Sequence, residues 1–194
     1  MNKKLEKGFS LVELLVVVAI IGVLAGVGIV GYQSYTESAK EKVAEANYNS
    51  VVRFIETELT LLNNGVQESS GALKNHTSSS GAGACGGTAN MPRAATTNTN
   101  LAHAIVCHFS SLKFKNPFDN NDQVKTATAV PSTAKKGEVY IIPVTTAENT
   151  SGNNRPINII YYTAAASAAL TWDSATSKYS GSGFKQKVDL GLAN

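Results

Sequence analysis

The residues best placed to do chemistry lie at the start of the chain, in Gly8-Phe9-Ser10-Leu11-Val12-Glu13. Glu13 is a carboxylate at the edge of an apolar run, Leu14 to Gly31, whose 18 residues are all aliphatic, alanine or glycine. An acid at the end of a membrane helix is costly if it lies deep, so it stays near the headgroups or finds a cation. A cut before Phe9 would create that cation, a new α-amino group four residues from Glu13. A second group is Cys85 and Cys107, with His103 and His108 flanking the latter. Two such cysteines form a disulfide or, as thiolates beside imidazole, hold a metal, although this spacing matches no usual ligand pattern. Asp119, Asn120, Asn121 and Asp122 offer oxygens without EF-hand spacing and read as a solvated turn. The glycines between 81 and 87 lie in a Ser/Ala tract with no lysine after them, so they form no phosphate loop. The histidines have no nucleophile and orienting acid at motif spacing. The expectation is a chain that is no enzyme and takes no cofactor or metal.

The start of the chain resembles type IV pilin precursors and their relatives, the type II secretion pseudopilins and competence pilins. The residues that carry the resemblance are Lys3, Lys4 and Lys7, then Gly8, Phe9-Ser10-Leu11-Val12-Glu13-Leu14-Leu15, and Ile20-Ile21-Gly22. It covers about residues 3 to 35. The resemblance implies cleavage between Gly8 and Phe9 by a prepilin peptidase, which then N-methylates Phe9. It implies that Glu13 pairs with the methylated amine of a neighbouring subunit during assembly. The function implied is that of a structural subunit of a type IV pilus, serving adhesion, motility or DNA uptake. The alternatives are a secretion pseudopilin, or a competence or minor pilin that binds DNA. The implied partners are further copies of the chain in a helical homopolymer, the peptidase and methyltransferase, the assembly platform with its ATPase, and the membrane before assembly. DNA or a surface ligand completes that set. Two departures stand out. Many type IV pilins have proline where this chain has Val30, and many place their disulfide near the C-terminus, whereas Cys85 and Cys107 lie mid-chain.

The elements that must position these residues follow from the same run. At about 1.5 Å per residue, a helix over Leu14 to Gly31 spans roughly 27 Å, close to the hydrocarbon thickness of a bilayer. In a secretory signal peptide the apolar segment precedes the cut and is discarded, whereas here it follows Gly8 and is kept. Lys3, Lys4 and Lys7 against Glu6 supply +2 of the net charge of +3, so the rest of the chain shows no global preference for nucleic acid. Positive charge ahead of the helix places the N-terminus in the cytoplasm and the remainder outside. The expected location is the inner membrane as a single-pass precursor, then an extracellular pilus. Export favours a Cys85–Cys107 disulfide, worth roughly 3 kcal/mol for a loop of this length.

No proline occurs until Pro92, so nothing forces the first helix to stop at the membrane. Ala44, Tyr48, Val51, Val52, Ile55, Leu59 and Leu62 recur at helical spacing, and Asn63-Asn64-Gly65 supplies a stop. One helix from about Phe9 to Asn63 is predicted, roughly 80 Å long at the helical rise. Gly22, Gly26, Gly28 and Gly31 either soften it or permit close helix packing. Residues 65 to about 100 are rich in Ser, Gly, Ala, Thr and Asn and read as a long loop, followed by a short helix from Asn100 to Leu112 with its histidines at the surface. Asn116-Pro117-Phe118-Asp119 reads as a turn with a buried aromatic. Strands are predicted at Gly137–Val144, Asn158–Thr163, 168–173 and 178–188, joined as an antiparallel meander with Trp172 and Tyr161 or Tyr162 packed on it. The lysine pairs 113/115, 135/136 and 185/187 lack interleaved aromatics and read as solvated charge. Two glycosylation-like triplets, Asn75-His76-Thr77 and Asn149-Thr150-Ser151, are expected by chance in so Asn- and Thr-rich a chain. The domain plan is a leader (1–8), a transmembrane or filament-core half-helix (9–31), an amphipathic half-helix (32–63), a helix-to-sheet region with the disulfide (64–136) and a sheet (137–194). The fold class is α+β and type IV pilin-like: a long N-terminal helix packed on a C-terminal antiparallel sheet.

Overall fold

The computed structural model describes residues 8–64, 72–74, 85, 97–144, 157–168, 170–188 and 190. The chain divides into two units, Met1–Lys40 and Glu41–Asn194. Helix α1 runs from Leu11–Asn63, 53 residues, and contributes to both. Its beginning is fixed by Ser10 and Glu13. The Val12 N–H donates to Ser10 Oγ at 3.3 Å, and the Ser10 N–H donates to Glu13 Oε2 at 2.8 Å. This reciprocal cap satisfies amides that have no partner in the first turn, and places a carboxylate at the positive end of the helix dipole. The helix ends at the asparagines: the Asn64 N–H donates to Thr60 O at 3.1 Å.

In the first unit, every residue from Gly8 to Tyr35 is exposed. An 18-residue window there has a mean hydropathy of 2.9, and α1 is the helix among the described residues long and apolar enough to cross a membrane.

In the second unit, α1 presents one stripe to a sheet. Ala44, Tyr48, Val51, Ile55, Leu59 and Leu62 are buried, with Val52 half-buried beside them. Their spacing of three and four residues is that of one helix face. Glu58 occupies the same face and is also buried. Helix α2, Asn98–Ser111, lies in the same core through Leu101, Ala102, Ala104, Ile105 and Phe109. Its N-terminus is capped by Thr97, whose hydroxyl accepts from the Asn100 N–H at 3.1 Å.

The strands are β1 (Val124–Thr126), β2 (Val139–Pro143), β3 (Ile157–Tyr162), β4 (Thr171–Asp173), β5 (Lys178–Ser180) and β6 (Phe184–Lys187). The main sheet has the order β1-β2-β3-β6, and β4 and β5 form a separate two-stranded hairpin. Ile141 pairs with Ile159 and Ile160 with Gln186 in antiparallel register, whereas β1 is parallel to β2, with Val124 opposite Val139. Strand β3 is buried along its whole length. Alternation divides its side chains: Ile157, Ile159 and Tyr161 face the helices, and Ile160 and Tyr162 face a second core with Ile142, Val130, Ala134 and Tyr179. The Tyr161 and Tyr48 rings stack at 5.1 Å, joining sheet to helix.

The α+β architecture is the expected one, and the strand plan is corrected in three places. A first strand, β1, lies in the 64–136 region read as loop. It is parallel to its neighbour because the connection 127–138 is long enough for a crossover. The segment 168–173 yields β4, which pairs with β5 and not with the main sheet. The segment 178–188 is two strands, broken where Gly181 and Gly183 take φ of +150° and +74°. The Asn-Pro turn forms as read, with Phe118 half-buried. Asn116 is buried; its Oδ1 accepts from the Phe118 N–H at 3.2 Å and its Nδ2 donates to Lys136 O at 3.0 Å. Gly137 is required opposite it: φ is +88°, and a Cβ there would fall on Asn116 Oδ1 and 2.7 Å from Phe118 Cδ2. Both glycosylation-like triplets lie outside the described residues.

Candidate functional site at the N-terminal segment

Phe9 is 87% exposed, and Glu13 is exposed one turn further on. The Glu13 carboxylate is held by the Ser10 N–H alone among the bonds described above. A Cβ built on Gly8 meets nothing within 4 Å, and the same holds for Gly22, Gly26, Gly28 and Gly31. The packing of a single chain therefore does not require glycine at any of these positions. Four glycines inside a helix each weaken it by up to about 1 kcal/mol relative to alanine.

In the head, Cys85 and Cys107 form a disulfide with a Cα–Cα distance of 5.3 Å. His103 lies one turn before Cys107 on α2, with Nε2 3.6 Å from the Cys107 sulfur. His108 is half-buried in the last turn of α2. Its ring stacks on Phe54 at 4.2 Å and meets Phe109 edge-on, and burial pushes its pKa below the usual imidazole value. The contact depends on α1 and α2 lying side by side, which no local pattern announces.

The lysines are largely compensated. Lys136 pairs with Glu41 at 2.7 Å, Lys185 with Glu45, and Lys187 with Glu56 at 3.2 Å. Lys115 pairs with Asp122 at 2.6 Å and Lys135 with Asp119 at 3.1 Å. These contacts contribute little stability each, being exposed, but they remove most of the unbalanced positive potential that a phosphate backbone would need. Asp119 is partly desolvated, yet hydrogen bonds from Asn121 and Lys135 hold its pKa at about 2. Its oxygens are occupied by the turn itself, through Asn121 and Lys135.

A buried carboxylate that sequence reasoning missed sits at Glu138. It is 2% exposed, pairs with Lys125, and accepts from the Lys135 N–H at 2.9 Å and the Tyr140 hydroxyl at 3.1 Å. Burial, with the Glu138 charge second, raises the Tyr140 pKa above the usual phenol value. Glu58 has an oxygen with no hydrogen-bond partner among the described residues. Its place three residues after Ile55 and four before Leu62 put it on the buried face, and that spacing was the available signal.

The family model for the prokaryotic N-terminal methylation motif matches residues 3–29, which contain Gly8, Phe9 and Glu13. A type IV major pilin protein of Neisseria gonorrhoeae is 52% identical over 42 residues, 22% of this chain and 24% of that protein. A fimbrial protein of Eikenella corrodens is 46% identical over 46 residues, 24% of this chain and 29% of its own length. A fimbrial protein of Pseudomonas aeruginosa is 54% identical over 43 residues, 22% of this chain and 27% of its own. The matches thus span about a quarter of these relatives. No solved structure matches the chain significantly. The first quarter of the chain, an exposed apolar helix carrying the methylation motif, is thus similar to the corresponding part of type IV pilins and fimbrial proteins.

Proposed function

We propose that the chain is a structural subunit of a type IV pilus, cut between Gly8 and Phe9, N-methylated on Phe9 and polymerised through its N-terminal helix. The observation that carries the reading is the exposed apolar stretch of α1 with a carboxylate at its start, most of it within the methylation-motif match. Such a surface is not stable in water. Before assembly it sits in the inner membrane as a single span with a cytoplasmic N-terminus; after extraction it is covered by sister helices in an extracellular filament. The helix glycines, which the chain's own packing does not need, support close approach of neighbouring helices. Gly8 is equally unneeded by the fold, which supports a role in recognition by the prepilin peptidase.

Glu13 acts in this reading as a register check, because only a neighbour's amine at the right height neutralises it away from water. The assembly platform and its ATPase supply the work of extraction, and no catalysis by the chain is involved. The long connection between α1 and α2 and the mid-chain disulfide support a displayed pilus subunit over a secretion pseudopilin. The compensated lysines give no support to a DNA-binding subunit.

Two variants test the reading. Gly8→Ala is expected to leave an uncut precursor in the membrane, and normal processing of it would contradict the cleavage site. Glu13→Ala is expected to be cut yet to yield few filaments; filaments at the wild-type level from that variant alone would contradict the register role.

A further inference from the structure

Helix α1 changes character at a definite level within the first unit. The apolar run ends at Gly31, and Tyr32, Gln33, Ser34, Tyr35, Thr36 and Glu37 follow it. Tyr32 and Tyr35 are 70% and 74% exposed, and neither hydroxyl has a hydrogen-bond partner among the described residues. At about 100° per residue, the two rings leave the helix roughly 60° apart on successive turns. Gln33, Ser34 and Glu37 leave from the remaining sides, and the Thr36 hydroxyl donates back to Gln33 O at 2.9 Å. Two rings thus share one side of a segment that is otherwise polar.

A phenol has an apolar body and a wet tip, and it is most stable where hydrocarbon gives way to headgroups. The length of the helix puts the pair at such a boundary. Tyr32 lies 19 residues after Glu13, roughly 29 Å in an upright helix, against about 30 Å of hydrocarbon. With the tyrosines at the outer boundary, the Glu13 carboxylate reaches the inner one, where it keeps its bond from the Ser10 N–H and access to water. Leu11, the first residue of α1, lies 21 residues before Tyr32, roughly 32 Å away. Gly8 and Phe9 precede it and so fall among the inner headgroups. A slide of one turn outward would carry Glu13 about 5 Å into hydrocarbon, and a slide inward would sink two hydroxyls. One depth satisfies both ends.

We propose that Tyr32 and Tyr35 form a docking pair for the lipid headgroup region of the outer leaflet, which holds the helix at one depth and so keeps the Gly8–Phe9 junction at the opposite surface. Interfacial aromatic anchors of this kind set the depth and tilt of a single span. The inference rests on the membrane reading proposed above and adds the residues that fix the level of the helix.

The test uses the full chain in vesicles of phosphatidylcholine and phosphatidylglycerol. Tyr35→Trp and Val23→Trp are read as differences from the wild type, whose one tryptophan, Trp172, lies in the head. The expected result is that the probe at position 35 is quenched most by lipids brominated near the headgroup, and the probe at position 23 by lipids brominated near the chain ends. A second arm follows cutting by a prepilin peptidase in the same vesicles. Tyr32→Ala/Tyr35→Ala should slow it at least about threefold, because a junction no longer held at one level is misplaced for attack. Tyr32→Trp/Tyr35→Trp should restore it, and far-ultraviolet circular dichroism checks that α1 stays helical. Iodide quenching at position 35 without quenching by shallow bromine would put the ring in water, awaiting a sister subunit, and would overturn the proposal. So would a double-alanine chain cut at the wild-type rate. A wild-type chain that is not cut at all would contradict the cleavage reading instead, and the quenching pattern alone would then decide the anchor.

Discussion

The buried Glu138 carboxylate is enclosed by partners in the head. Glu138 has Lys125, the Lys135 N–H and the Tyr140 hydroxyl around it. Glu138→Ala removes all three acceptor contacts and is expected to lower stability by about 2 kcal/mol, Lys125 being exposed enough to recover some hydration. Denaturant unfolding reads this directly, and a loss well under 1 kcal/mol would show the network to be incidental. His108 gives the head a pH dependence of known sign. Burial disfavours its charged form, so the folded pKa lies below that of the unfolded chain. The unfolded state then binds more protons between the two values, and stability falls as pH drops through and below the usual imidazole range. His108→Gln should lose less stability than the wild type between about pH 7 and pH 5. Identical slopes would contradict the partial burial of the His108 ring against Phe54. Neither residue was legible in the sequence, because each depends on partners brought from other elements.

At the scale of elements, legibility followed the length and period of each segment. Helix α1 was readable because its apolar positions keep one helical period from Ala44 to Leu62, and because the terminal asparagines are a local signal. Strands β2 and β3, five and six residues, were readable as mostly apolar runs rich in isoleucine and tyrosine, Asn158 being the polar exception. Strand β1 is three residues with one large apolar side chain, too little for a pattern, and its parallel pairing is decided by the crossover that follows it. Strand β4 carries Trp172 but pairs only with β5, where Trp172 and Tyr179 meet edge-on at 4.9 Å. The Cys85–Cys107 bond ties a connection outside the helices to α2. Cys85→Ser should therefore lower stability by about 3 kcal/mol in the chain-entropy picture, shifting the thermal midpoint by several degrees. Processing at Gly8 should be unchanged, because the proposed cleavage junction and the bond lie in different units. A variant as stable as the wild type would mean that the bond constrains little in the unfolded chain.

At the scale of the whole molecule, the chain joins a head with two cores to a helical segment in which no residue from Gly8 to Tyr35 is buried. The candidate site was legible from the first residues because it is a linear motif: a glycine, an aromatic and a carboxylate fixed by spacing, ahead of an apolar run. In the proposed reading the rest of the function depends on other subunits, and no single sequence displays those contacts. The most direct test is the intact mass and N-terminal sequence of this protein in filaments sheared from the cell surface. The account predicts a dominant chain that begins at methylated Phe9 and has the mass of the oxidised cysteine pair. Filaments whose subunits retain residues 1–8, or a processed chain found only in the membrane fraction, would contradict it.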